Sequence, residues 1–124
     1  MTYTVTLPGR QNYAMSSNAR PHWSVEREVH QYWRGLARLM FNRQPHCERA
    51  HLTITFTFPD RRRRDLHNLV HHVVKPIVDG VVDSGVLPDD DDAHLIGPDL
   101  RRNPERGPFQ VTVTIEPLPY PSTA

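Results

Sequence analysis

The chain holds one cysteine, Cys47, so no internal disulfide can staple it, and that usage fits a reducing, cytoplasmic setting. No apolar run approaches the roughly 20 residues that a membrane-spanning helix needs. Hydrophobic residues make up 37% and charged residues 23%, the balance of a soluble domain with no membrane partner. The opening MTYTVTLPG reads as a strand and not as a basic-then-apolar leader, so no secretory signal is expected. Net charge is almost absent too, at +1, and the total does not announce a nucleic-acid partner. The distribution of charge has to be read instead. Lysine is the scarcest charged type: of 15 basic residues 14 are arginine, which leaves Lys75 alone. In a chain that otherwise uses planar guanidinium forks, one lysine is a candidate for a site that needs a compact point charge.

What is present fits one domain of 124 residues with a single core and no internal repeat. Residues 3–7, YTVTL, alternate and are β-branched, which predicts a short strand ending at Pro8-Gly9. Residues 8–22 lack periodicity and predict a long, mobile loop carrying Arg10, Asn12, Asn18, Arg20 and His22. Ser24 is the expected N-cap of a helix of about 17 residues, with Glu26 and Glu28 near its positive end. Its apolar stripe is Val25, Val29, Tyr32, Trp33, Leu36 and Met40, and Arg27, Arg34 and Arg38 fall outside that stripe as solvated groups. HLTITFTF at 51–58 alternates almost strictly, which predicts a half-buried antiparallel strand. Pro59-Asp60 then delivers the chain to four arginines and Asp65.

From His67 to Ser84 the valines and Ile77 recur at helical steps, with a kink or restart expected at Pro76 and a C-terminal cap at Gly85. After the acidic run Asp89–Asp92, a short strand is expected around 94–96, a basic turn over 101–108 and a last strand over 109–116. The proline-rich tail 117–124 is expected to be mobile. These elements sum to an α/β (α+β) fold: one small domain, a mixed β-sheet of about four strands and two main helices.

The chemistry concentrates in 59–92. A carboxylate beyond a strong strand and an acid cluster about 25 residues later could converge on Mg²⁺, a hard cation that takes oxygen ligands and keeps several waters. Such an ion lowers the pKa of an attacking water and offsets charge on a phosphodiester, and Lys75 could stabilise the departing oxygen. His67 and His71 stand four apart, the spacing of some zinc pairs, with His72 expected to face elsewhere. His67 beside Asp65 is also a candidate mixed ligand.

The run PDRRRRDLHN, followed by Lys75, DG and SGVLPDD, resembles the signature of the RusA family of Holliday-junction resolvases. Weaker similarity extends from YTVTLP through RPHWSVE to VTVTI. The resemblance assigns Asp65 to the first catalytic acid, Asn68 to the asparagine, Lys75 to the catalytic lysine, Asp79 to the helix aspartate and Asp90 to the last acid. His67 stands where the family has a second acid, which implies greater tolerance for Mn²⁺. Asn68 and Lys75 are seven apart against three in the family, an excess close to one helical turn that would move the lysine about 6 Å along the axis. His71 then holds the lysine's usual distance and is a possible substitute for it.

The resemblance implies a RusA-like homodimer, without organic cofactor, that cuts branched DNA at a four-way junction in a Mg²⁺-dependent reaction, in DNA recombination and repair. Asp65, His67 and Asp90, with Asp91 or Asp89 assisting, are its expected metal ligands. Arg20, Arg61, Arg62, Arg63, Arg64, Asn68 and His71 are its expected DNA contacts. The alternative is a DNA-binding protein of the same fold that cuts poorly or not at all.

Overall fold

The structure is a computed structural model and describes residues 1–10 and 13–119. The expectations for Asn12 and for the end of the tail lie outside those residues. Four strands, β1 (Tyr3–Pro8), β2 (Ala50–Thr57), β3 (Leu95–Arg102) and β4 (Gln110–Pro117), form one sheet in the order β1-β4-β2-β3. Two helices, α1 (Trp23–Phe41) and α2 (Lys75–Asp83), complete the mixed α+β domain. Alternation sorts the sheet's faces as expected. Val5, Leu7, Leu52, Ile54, Phe56, Val111, Val113 and Ile115 are buried, and threonines line the other side, where Thr6 lies opposite Thr112. β2 is not simply antiparallel: it pairs antiparallel with β4 and parallel with β3.

Helix α1 starts two residues earlier than expected because His22 caps it: its Nδ1 accepts from the Ser24 amide at 3.2 Å. The buried stripe is Val29, Trp33, Ala37 and Phe41, whereas Val25 and Met40 are exposed, so the core-facing arc is rotated toward the small Ala37. The reason is Gly80 of α2. A side chain there would collide with the Arg34 carbonyl and stand 2.7 Å from Ala37 Cβ, so the two helices cross with backbones in close approach.

The segment before α2 is not one helix. Leu66–Leu69 form a 3₁₀ turn, Val70–Val74 a π turn, and the α-helix restarts at Lys75. The Lys75 amide bonds the Val70 carbonyl, the i→i+5 bond that defines a π turn. Pro76 lacks an amide to donate, and it sits at the start of α2, where none is required. Gly85, at φ +91°, follows the Ser84 C-cap as expected.

β3 runs eight residues, longer than expected, and absorbs the first two residues of the anticipated basic turn. Its interior carries Gly97 at φ +96°, joined to Pro98 by a cis bond, where the register with β2 shifts. A side chain at Gly97 would stand 2.8 Å from the Leu52 carbonyl oxygen, and glycine-rich, proline-broken sequence hides such a strand from periodicity. Among the described residues no helix is long and apolar enough to cross a membrane.

Candidate functional site

The four arginines do not act alike. Arg64 donates to both Asp60 oxygens, at 2.6 and 3.2 Å, and its guanidinium carbon lies 4.1 Å from the centroid of the Phe58 ring. That contact, helped by the Arg62 amide, pulls the Asp60 carboxyl down to about 2. Arg102 donates to the Arg62 and Asp60 carbonyls. Arg64 and Arg102 therefore fasten the loop, and Arg61 and Arg63 are left exposed, with no intramolecular side-chain bond among the described residues.

Asp65 caps the 3₁₀ turn, its Oδ1 accepting from the His67 amide at 3.1 Å, and the His67 ring reaches within 3.9 Å of the same oxygen. Both side chains are exposed. Asp65 and Asn68 line a recess with Arg63, Arg64 and Ser16. His67 instead lines a groove of about 520 Å³ between the helical segment and β3, with Lys75, Asp90, Asp99 and Arg101.

Lys75 is the centre of the charged array. Its Nζ lies 2.7 Å from Asp90 Oδ2 and 3.0 Å from Asp79 Oδ1. Asp90, then Asp79, raise the lysine's pKa, and the Lys75 hydrogen bond lowers that of Asp90. Lys75 also lines a second cleft, of about 560 Å³, between α1 and α2, so it stands on the ridge between the two. Lys75, and not His71, meets Asp90.

Among the described residues, Asp65, His67, Asp90 and Asp91 do not bring three ligand atoms within 4.8 Å of one another. Asp65 follows the C-terminal end of β2, and Asp90 precedes the N-terminal end of the parallel strand β3. Asp89 and Asp91 are drawn into local turns, accepting from the amides of Asp90 and Ala93.

A different group does close. Glu26, His30, His71 and His72 offer four ligand atoms within 4.8 Å of one another and could hold a metal ion. Sequence reasoning placed His72 away from His71. In the π turn their rings come together, with centroids 4.5 Å apart, and His67 is not among them. The pairing of His67 with His71 as a zinc site is thereby replaced. His72 is 1% exposed, and its Nδ1 shares a hydrogen bond with His30 Nε2 at 2.8 Å. Burial holds the pKa of both rings down, and for His72 the His71 and His30 charges add to the effect. Arg20 lines the outer side of the cluster, beside Glu26, His71 and His72. The available signal was Glu26 and His30, four apart on α1, and its partner was hidden because a π turn has no periodic signature.

No family model matches the chain, and no curated protein matches it. Among solved structures it is similar to a thiamine-monophosphate kinase from Stenotrophomonas maltophilia K279a at 16% identity and a TM-score of 0.35, over 93% of this chain and 29% of the kinase. The chain thus spans less than a third of that protein's length, and a likeness at this level carries no functional argument.

Proposed function

We propose that the chain is a structure-selective endodeoxyribonuclease of the RusA kind, a homodimer that cuts four-way DNA junctions with Mg²⁺ or Mn²⁺. The observation that carries the reading is Lys75, the sole lysine of an arginine-rich chain, held by Asp79 and Asp90 on a groove that His67 and Arg101 also line. An ammonium fixed by two carboxylates is a preorganised positive charge, which can face a phosphate without reorganising during reaction. Arg61 and Arg63, which make no side-chain bond among the described residues, are available for backbone phosphates, and that kind of contact reads no base. A two-fold junction is matched by a two-fold enzyme.

The second reading, a junction-binding protein that cuts weakly or not at all, is favoured by one specific feature: among the described residues, Asp65, His67, Asp90 and Asp91 do not bring three ligand atoms within 4.8 Å of one another. The deciding experiment incubates a synthetic four-way junction and a linear duplex of the same sequence with the protein, in Mg²⁺ and then in Mn²⁺. Paired nicks in the junction alone support the nuclease. Binding without nicks in either metal supports the second reading.

A further inference from the structure

From the side chains between α1 and the π turn, we infer that Glu26, His30, His71 and His72 form a binding site for a zinc-class transition-metal ion, which clamps α1 to the segment leading into α2. Three imidazoles and one carboxylate are a donor set suited to Zn²⁺ and unsuited to Mg²⁺, which prefers oxygen. Four protein ligands fill a tetrahedral shell, the pattern of a structural site and not of a catalytic one that keeps a position open.

The four atoms already converge within 4.8 Å. Tetrahedral bonds of about 2.0–2.1 Å set neighbouring ligand atoms about 3.3 Å apart. His30 Nε2 and His72 Nδ1 stand at 2.8 Å, so admitting an ion asks that pair to part by about 0.5 Å.

The His72 ring is 1% exposed and its Nδ1 is the nitrogen turned toward His30, so an ion between the two rings replaces the hydrogen bond they share and fixes the tautomer of His72 with its proton on Nε2. The charges facing the site are mixed. Glu26 supplies one negative charge, Asp79 faces His30, and Arg20 opposes the ion from the outer side.

The π turn acquires a purpose in this arrangement. π turns inside helices occur frequently at functional sites, and this one brings the adjacent residues His71 and His72 to a common point. The inference does not depend on the nuclease reading, and its test involves no DNA.

The experiment strips the full-length protein with a chelator and titrates Zn²⁺ alone, reading stoichiometry by calorimetry and the melting temperature in parallel. Co²⁺ is then added in place of Zn²⁺ to read the visible bands of tetrahedral cobalt. His71→Ala and Glu26→Gln are the variants, because His71 is exposed and Glu26 half-exposed, and each is checked against wild type by metal-free melting. The expected result is one Zn²⁺ per chain, a metal-dependent rise in melting temperature, tetrahedral cobalt bands, and at least tenfold weaker binding in each variant. Absence of stoichiometric binding by wild type overturns the inference. So does binding that both variants retain, which would place the ion elsewhere, for instance at the surface pair His46 and Glu48.

Discussion

The Lys75 ammonium lies 2.7 Å from the Asp90 carboxylate, across the groove between the helical segment and β3. The two residues are 15 apart in the chain, and the π turn, the α2 restart and the acidic run before β3 must all form before they meet.

Replacing Lys75 with methionine separates catalysis from folding. The lysine side chain is 55% exposed, so losing its ion pairs costs at most about 1 kcal/mol of stability. If it faces the phosphate as proposed, junction cleavage falls about 10²–10³-fold while junction affinity changes little. Thermal melts and single-turnover cleavage check the two halves.

The same pair sets a pH dependence with a definite sign. Asp90 has a lowered folded-state pKa, so its contribution to stability is present above the unfolded value near 3.8 and is lost as pH falls through the lowered one. Lys75 has a raised pKa, so its share is complete below 10.5 and is lost as pH rises through the raised value. Urea unfolding of wild type and Asp90→Asn from acid to neutral pH is expected to show a small gap, under about 1 kcal/mol, that opens as pH rises out of the acid range. A gap that closes toward neutral pH would contradict the pairing.

Gly80 is fixed by the crossing of α1 and α2. Gly80→Ala places a methyl group against the Arg34 backbone and Ala37, and is expected to lower stability by about 1–3 kcal/mol although alanine favours helices. Chemical denaturation measures this directly. Gly35→Ala, whose added atom meets nothing within 4 Å, is the control and is expected to be neutral or stabilising.

The arginine run divides by contact. Arg61→Gln and Arg63→Gln are expected to weaken junction binding equally across sequences, each reducing the salt slope by about 1. Arg64→Gln breaks the bidentate bond to Asp60 and the stacking on Phe58, so its first effect is on melting temperature. Binding isotherms at several salt concentrations, beside melts of all three variants, distinguish the groups.

The strands with strict alternation were legible because each has one buried and one open face. The periodicity around Trp33 likewise announced α1. Less was legible where one residue acts on another far along the chain. Ala37 lies in the core where Gly80 admits close helix approach, and nothing near Ala37 in the chain records that. The π turn at Val70–Val74 cannot be told from an α-helix by its valines, so the direction of His72 was misjudged. The parallel pairing of β2 with β3 was not legible either, because sequence separation carries no information on strand direction.

The most direct measurement on the proposed activity is a paired binding and cleavage assay of wild type and Asp90→Asn on one synthetic four-way junction, with Mg²⁺ and Mn²⁺ in separate series. The account predicts symmetric nicks by wild type in at least one metal, and an Asp90→Asn protein that binds the junction with affinity within a few-fold of wild type but leaves it uncut. Wild type that never nicks, or Asp90→Asn that cuts at the wild-type rate, would contradict it.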